Sequence, residues 1–284
     1  MSLLEKKIDF AVVVVVKNAN PNGDPLNGNR PRVTYDGLGE ISDVCIKRKI
    51  RNRLLESGEG IFVQSDDNRV DEYRSLRSRA EGELTKESLK DPEKLRSDSC
   101  KKWYDVRAFG QVFAFKGKEA AGVSVGIRGP VSVHPAFSVI PVNTSSIQIT
   151  KSVSSEGDGS KRGPDTMGMK HRVDHGVYVF YGSINPQLAN NTGYTTEDAQ
   201  ALKHVLVHLF DNDASSARPE GSMEVSKVIW WEHSSSTGQY SSAKVHRSLS
   251  VMPRLGVTEP NDIEDYDIDV AVLDGLEPQI INGH

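Results

Sequence analysis

The feature that most constrains the fold is a continuous apolar, mainly β-branched run at positions 8 to 17, which reads IDFAVVVVVK. A run of this length without polar alternation is typical of a central strand that is covered on both faces. Residues 18 to 32 are dense in Asn, Gly and Pro, which continue neither helix nor sheet. We therefore expect a core strand, followed by an ordered loop or a tail-like excursion.

Capping residues and apolar spacing predict two well-defined helices. Ser42 is a suitable N-cap, and apolar residues then recur every four positions, which predicts a helix over residues 43–56. A second helix is expected to begin after Thr195, within a Thr-Thr-Glu-Asp capping sequence, and its apolar stripe continues as far as Asp211.

Short apolar segments between turn residues predict the strands. They lie at 109–115, 123–133, 136–142, 145–151, 173–184, 223–232 and 265–273. With the first strand and the two helices, the element order becomes β, α, β, β, α, β, which is that of the ferredoxin-like fold of RNA-recognition (RRM) domains. We expect an α+β fold, with residues 1–284 forming one RRM-like domain.

Two insertions interrupt this order. Residues of about 61–104 are charged and compatible with helix, with a helix start at Asp91-Pro92. Residues of about 152–172 are rich in Ser, Gly and charge, and contain too little apolar material to pack by themselves. This second insertion is expected to be a protruding hairpin or a flexible arm. Because one fold serves many functions, function has to be argued from sites.

The formal net charge of −4 hides an uneven distribution of charge. Residues 256–284 hold eight acidic side chains and no Lys or Arg, so residues 1–255 carry 35 basic and 31 acidic side chains. Five basic residues lie within positions 47–53, and four more lie between 161 and 172. Such clusters are typical of nucleic-acid contacts, although on a helix they can also be a merely solvated face.

Compartment and cofactor class follow from what the sequence contains. Cys45 and Cys100 are too few for a disulfide framework, and no apolar run approaches the roughly 20 residues that span a bilayer. We expect a cytoplasmic chain without membrane contact.

His204 and His208 are four apart on a helix, but a surface or hydrogen-bonding role is favoured because no Glu stands beside His204 as a base. The Asn-rich loop places Asn29 where a calcium loop needs a bidentate Glu, so neither metal nor cofactor is expected.

Three sequence blocks together resemble one protein family. They are NANPNGDP at 18–25, DVCIKRKIRN at 43–52 and TMGMKH at 166–171, supported by YDVRAFG at 104–110 and RGPV at 128–131. In order and spacing they resemble the backbone subunit of the type I-C CRISPR surveillance complex, called Cascade. The resemblance implies an RRM-like palm, a helical finger region and a hairpin thumb. It also implies that copies stack along one guide RNA (crRNA) with other Cascade subunits, that target DNA is met through the guide, and that this subunit is not an enzyme.

The resemblance and the charge clusters together give a set of candidate RNA-binding residues. They are Asn20, Arg32, Lys47, Arg48, Arg51, Lys161, Arg162, Met167, Lys170, His171 and Arg172. The apolar stripe of helix 43–56 is expected to pack inward, leaving Lys47, Arg48 and Arg51 on a solvent-facing surface for phosphates. Met167 is the candidate for a wedge against an unstacked base, since its flexible side chain demands no particular base. Met169 departs from the family pattern, in which a basic residue is expected.

Other interpretations remain open. Residues 107–113 resemble an RRM stacking motif, but alternate aromatics in a strand are usually core, which also holds for Trp103, Trp230 and Trp231. A metal-independent endoribonuclease on the same fold is one alternative, with an unpaired His171 as general acid or base. A self-assembling scaffold without RNA is another. The acidic C-terminal segment is expected to form an edge strand that meets a basic face of a neighbouring copy.

Overall fold

The structure, a computed structural model, describes residues 2–114, 124–152 and 167–284 and has a mixed α/β architecture built on a large antiparallel sheet. Its strands are β1 (Ile8–Ala19), β2 (Gly23–Asp24), β3 (Arg30–Pro31), β4 (Leu38–Ile41), β5 (Gly110–Ala114), β6 (Ser124–Arg128), β7 (Val131–Val133), β8 (Ala136–Pro141), β9 (Thr144–Thr150), β10 (Met167–Ile184), β11 (Met223–Glu232), β12 (Leu249–Pro253), β13 (Tyr266–Val270) and β14 (Pro278–Asn282). The helices are α1 (Asp43–Glu56), α2 (Leu76–Glu83), α3 (Pro92–Lys102), α4 (Tyr104–Phe109), α5 (Pro186–Thr192), α6 (Thr196–Val207) and α7 (Ser242–His246).

Strand β1 lies at the centre of the sheet, as its unbroken apolar run predicts. The strand order is β14-β11-β1-β10-β8-β4, and β7 and β9 also pair with β10. Phe10 and alternate residues of β1 pack into the core on one face, while Ala11, Val13 and Val15 pack into a second core on the other. Because both faces are covered, no position on β1 between Ile8 and Val16 is left for a polar surface residue, and even Asp9 is buried.

Helices α1 and α6 pack on the same face of the sheet. Their predicted caps and the predicted bounds of α1 are confirmed, whereas α6 ends at Val207 rather than continuing to Asp211. The Ser42 hydroxyl accepts a hydrogen bond from the Cys45 amide at the start of α1. Thr195 and Asp198 form a reciprocal capping box at the start of α6. Apolar residues of both helices enter the core beneath Phe10, so the two helices and the sheet form one packed unit.

The insertion is larger than the sequence predicts and has a core of its own. Strands β5 and β6 pair only with each other among the described residues, in a two-stranded sheet apart from the main one. Expecting residues 109–115 to be a strand of the main sheet is therefore wrong. Phe62, Leu95, Trp103 and Phe113 belong to a third apolar cluster that joins this hairpin to α2 and α3. The helix start at Asp91-Pro92 is confirmed by the Asp91 cap.

The chain after β11 covers the second face of the sheet. Strands β12 and β13 pair with each other, and Leu249 and Tyr266 pack into the core that contains Ala11 and Trp231. The alternation predicted for 265–273 is confirmed in β13, where Asp267 and Asp269 face outward, but it does not extend to Val272, which is exposed. The edge of the main sheet is instead β14, which the sequence pattern did not reveal.

Among the described residues, no helix is both long enough and apolar enough to cross a membrane.

Candidate nucleic-acid interface

Residues 18–32 form an ordered segment between β1 and β4 that contacts the start of α1. The side-chain oxygen of Asn22 accepts a hydrogen bond of 2.9 Å from the Ser42 amide, at the N-cap of α1. The Cys45 thiol lies 3.8 Å from the Pro21 carbonyl oxygen. Strand β3 of this loop lies against β10, the strand that carries the third sequence block. The first block therefore lies beside the start of α1, and its Ala19 pairs with Val173, two positions after the third block.

Asn20 and Arg32 hold the loop in shape. Asn20 is 3% exposed, and its side-chain amide donates a 2.7 Å hydrogen bond to the Asn29 carbonyl, so it offers RNA almost no surface in this conformation. The half-buried Arg32 guanidinium lies 3.5 Å from the Asp24 carboxylate. Its Nε is buried without a hydrogen-bond partner among the described residues. Arg32 is thus held to the loop through Asp24, and its predicted contact with RNA stays a prediction.

The three α1 cations chosen from the sequence do not form an open, solvent-facing surface, and that expectation is wrong. All three are partly buried and have protein partners. Lys47 Nζ pairs with Asp43 Oδ2 at 3.0 Å, and Arg48 Nη1 donates to the Val63 carbonyl at 2.8 Å. Burial, followed by repulsion from Arg51, lowers the pKa of Arg48.

Of the three cations, Arg51 forms an ion pair with a buried carboxylate. Its Nε donates to the Asp105 carboxylate at 2.8 Å, and Asp105 is only 1% exposed. The same carboxylate accepts hydrogen bonds from the Phe62 and Val63 amides. Arg51 thereby anchors the inserted region to α1. Its contact with RNA stays a prediction. Such a contact would require the guanidinium to bind a phosphate as well as Asp105.

Two cations that the sequence did not single out, Lys49 and Arg218, lie beside α1. Both pair with Asp213: Arg218 Nε lies 3.1 Å from its Oδ2, and Lys49 donates to the same oxygen. Burial raises the pKa of the Cys45 thiol, and Lys49, Arg218 and Arg32 oppose that shift electrostatically. Lys49, Arg32 and Arg218 therefore surround one point, although Arg218 lies 169 positions beyond Lys49 in the chain.

An open groove of about 880 Å³ runs between α1 and the loops at 65–68 and 212–218. Its cationic and amide lining consists of Arg48, Lys49, Arg218, Asn52, Asn68 and Asn212. Asp67 and Asp213 are the carboxylates in this lining, so cations outnumber anions by three to two. A groove of this chemistry suits phosphate and ribose groups, because it offers charge and hydrogen-bond donors without an apolar platform for bases.

The predicted arm emerges from the sheet as an antiparallel ladder. Met167 pairs with Thr150 at its outer end, and Val173 pairs with Thr144 at its base. Met167 and Met169 are 65% and 54% exposed on the ladder. Lys170 and Arg172 are half-buried nearby, and Arg172 Nε lies 3.6 Å from Asp174. The candidates Lys161 and Arg162 lie outside the described residues.

His171 is not the unpaired histidine that a nuclease interpretation requires. Its side chain is 8% exposed, and its Nδ1 lies 2.8 Å from the Ser146 hydroxyl, on the paired strand β9. An acid or base has to reach the proton that it transfers, and this imidazole is instead engaged within the ladder. The ribonuclease alternative relied on an unpaired His171, and in this structure His171 is paired with Ser146.

Among the described residues, the sheet face that carries Trp231 is covered rather than open for base stacking. RRM domains stack bases on aromatic residues of an uncovered sheet, but here β12, β13 and α7 cover the face that carries Trp231. Phe113 is fully buried in the core of the insertion, and Phe109 ends α4 rather than standing in a strand. Trp103, Trp230 and Trp231 are buried in three separate clusters, which confirms their packing role.

Comparison with known proteins identifies the family. The family model for CRISPR-associated protein Cas7 matches residues 6–271. A curated relative, CRISPR-associated protein Cas7 of Haloferax volcanii, is 27% identical over 225 residues, covering 73% of this chain and 65% of that protein. The chain thus spans just under two thirds of the length of that relative.

Two solved structures align with this chain, the first of them with a similar fold. A chain of a "CRISPR RNA-guided surveillance complex, pre-nicking" aligns with a TM-score of 0.50 and 16% identity over 79% of this chain and 75% of that chain. A chain of a "CRISPR RNA-guided surveillance complex" aligns with a TM-score of 0.44 and 16% identity over 79% and 68% of the two chains. Because the family model matches nearly the whole chain, the resemblance drawn from the three sequence blocks is confirmed: this chain belongs to the Cas7 family of CRISPR-associated proteins.

Proposed function

We propose that this chain binds the sugar-phosphate backbone of a CRISPR guide RNA without regard to sequence, and that copies of it assemble along the guide as the helical backbone of Cascade. The guide is then presented for pairing with invading DNA, and other Cascade subunits complete the complex. The observation that carries the proposal is the groove beside α1 that Arg48, Lys49 and Arg218 line, in a chain of the Cas7 family.

We also propose that the main sheet with α1 and α6 is an RRM-like palm. The strands β11, β1, β10 and β8 are adjacent in that order, and α1 and α6 share one face, which supports a βαββαβ arrangement. In the same proposal the region around α2, α3 and the β5-β6 hairpin is the finger region, and the β9-β10 ladder is the base of the thumb.

The mechanism follows from the need to accept any guide sequence. Cations and backbone amides grip phosphates and riboses, while base edges stay free to pair. The covered sheet face supports such a grip, since bases cannot stack on Trp231 or its neighbours. The exposed Met167 is placed on the ladder where it can pack against an unstacked base.

We further propose that the chain acts in the cytoplasm and has no catalytic role of its own. The free thiols of Cys45 and Cys100 suit a reducing compartment. The ribonuclease alternative has less support because His171 is buried against Ser146.

Binding to labelled single-stranded RNAs of unrelated sequence tests the RNA-binding proposal. Wild-type protein should bind them with similar affinity, and the logarithm of affinity should fall linearly with the logarithm of salt concentration. The variant Lys47→Glu/Lys170→Glu should bind more weakly and, if two phosphate contacts are lost, flatten that slope by about 1.4. A matched control is Lys90→Glu/Lys101→Glu, which reverses two exposed cations on the insertion.

Three results would count against the proposal. Strong preference for one RNA sequence would contradict binding through the sugar-phosphate backbone. An equal loss of affinity in the control variant would show that the effect comes from net charge alone. RNA cleavage that disappears in His171→Ala would replace the proposal with the ribonuclease alternative.

A further inference from the structure

The C-terminal end of α6 and the segment that follows β14 bring histidines and a carboxylate together. His208 caps α6, Asp211 lies in the following turn, and His284 follows the edge strand. One candidate ligand atom from each of these three residues lies within 4.8 Å of the other two. From this cluster we infer that His208, Asp211 and His284 form a site for a divalent transition-metal ion of the zinc class, with His204 beside it.

The distances fit a small tetrahedral ion. Asp211 Oδ2 lies 2.9 Å from His208 Nδ1 and 3.5 Å from His284 Nδ1. Ligand atoms held at about 2.0–2.2 Å from a tetrahedral zinc ion lie roughly 3.3–3.5 Å from one another. The His284 contact is already at this spacing, and the His208 contact needs only a small outward movement of a partly exposed side chain.

His204 can complete the set. It lies one helical turn before His208, on the exposed side of α6, and the two ring centroids are 4.7 Å apart. The centroid of the His284 ring is 4.8 Å from that of His208. Three imidazoles and one carboxylate are ligands that zinc accepts, and with three protein ligands a water molecule would take the fourth position.

The surrounding fold holds the two halves of the cluster in place. Helix α6 packs against β11, and β14 pairs with β11 from Lys227 to Trp231. The Gly283 amide donates a 3.0 Å hydrogen bond to the Ser226 carbonyl, which fixes the backbone next to His284. Lys203 of α6 also donates to Gln279 of β14. A bound ion would therefore link α6 to the edge strand of the main sheet.

The pairing of His208 with Asp211 alone would be an ordinary hydrogen bond at a helix end. What distinguishes this cluster is that His284 approaches the same carboxylate oxygen from the other end of the chain. The sequence favoured a surface role for His204 and His208 because no Glu stands beside His204 as a base. The structure supplies the missing ligand.

Titration of tag-free protein with Zn²⁺ by calorimetry tests the site, since a polyhistidine tag would itself bind the metal. Co²⁺ serves as a spectroscopic probe, because tetrahedral cobalt absorbs strongly in the visible range. We expect one ion per chain, with affinity at least tenfold weaker in both His208→Ala and His284→Ala. The matched control is His134→Ala, which removes an exposed histidine outside the cluster and should bind like wild type.

Thermal unfolding supplies a second readout that does not depend on RNA. Zinc should raise the melting temperature of the wild type and of His134→Ala, because the ion binds only the folded arrangement, and should not raise that of His284→Ala. His284 is exposed, so this variant keeps the fold even if His208→Ala does not. Absence of a one-to-one binding event in the wild type, or equal binding by His284→Ala, would overturn the inference.

Discussion

Arg51 and Lys47 lie one helical turn apart on α1, yet they have different partners. Lys47 pairs with Asp43 on its own helix, at the surface. Arg51 reaches the buried Asp105 and stands over the Phe109 ring, 5.1 Å from its centroid. Of these two cations, Lys47 pairs within its own helix, whereas Arg51 holds two parts of the fold together.

Replacing Arg51 by Ala should destabilise the protein strongly. The change leaves the Asp105 carboxylate buried without its cation, which typically costs about 3 kcal/mol or more in the free energy of unfolding. Lys47→Ala removes a partly buried pair within one helix and should cost less than about 1 kcal/mol. Urea denaturation of both variants measures the difference.

Equal, small losses of stability in the two variants would show that the Arg51 pair does not anchor the insertion. This difference is also the reason for excluding Arg51 from the charge-reversal test of RNA binding.

Two partly or fully buried histidines predict that stability falls as pH decreases below about 6.5. Burial lowers the pKa of His246, although Asp9 opposes the shift, and burial followed by Lys17 lowers the pKa of His175. The unfolded chain therefore binds more protons than the folded chain just below pH 6.5, so the free energy of unfolding decreases there. Asp9, whose pKa is also lowered, acts only near and below pH 4, since its contribution is lost as pH falls through its folded value.

Urea midpoints between pH 8 and pH 5 check this expectation. His246→Asn should flatten the dependence on pH, whatever its effect on stability at pH 8. A midpoint that stays constant from pH 8 to pH 5 in the wild type would contradict the assignment.

For single residues, the sequence shows where basic side chains cluster but not which side chains they pair with. The basic spacing on α1 is visible, whereas the pairing of Arg51 with Asp105 joins positions 54 apart. Arg218 was missed for the same reason, since it stands in an irregular loop and reaches the groove only through the fold. Periodicity describes one element at a time, and these contacts are made between elements.

Where local signals agree, the sequence predicts helices and strands better than it predicts side-chain contacts. The bounds of α1 follow from the Ser42 cap and a stripe of apolar residues, and the unbroken run of β1 correctly predicts a strand with two covered faces. Strand β14 was missed because its five residues begin with a Pro and have no alternating pattern. Strand β5 was recognised but assigned to the wrong sheet, since the pairing of strands depends on distant residues.

The arm gives a prediction for an element as a whole. Met167 is 65% exposed on the ladder, opposite Thr150, in a position to separate neighbouring bases. RNA that contains the fluorescent base 2-aminopurine at successive positions should brighten on binding where a base is unstacked. Met167→Ala should reduce this signal and leave affinity within a few fold, because the cations carry most of the binding.

Gln148→Ala is a suitable control, since it removes a neighbouring side chain that contacts the Met167 sulfur. Fluorescence that is unchanged in Met167→Ala would show that this residue is not the wedge.

For the molecule as a whole, the covered second face of the sheet limits how copies can meet. Truncation after Gly256 would remove β14 and the buried Tyr266 and would expose the core beneath them, so it cannot test the acidic segment by itself. Asp262 already pairs with Lys17, whereas Asp269 faces outward from β13. The proposed contact with a basic face of a neighbour is therefore better tested through Asp269→Asn, which keeps the fold.

The most direct test of the account is the mass of the protein with RNAs of increasing length, measured by size-exclusion chromatography with light scattering at low and high salt. The account predicts that mass rises in steps with RNA length, that high salt reverses this growth, and that Lys47→Glu/Lys170→Glu prevents it while Lys90→Glu/Lys101→Glu does not. A particle of constant mass, indifferent to RNA length and to salt, would contradict the account and favour a scaffold that assembles without RNA.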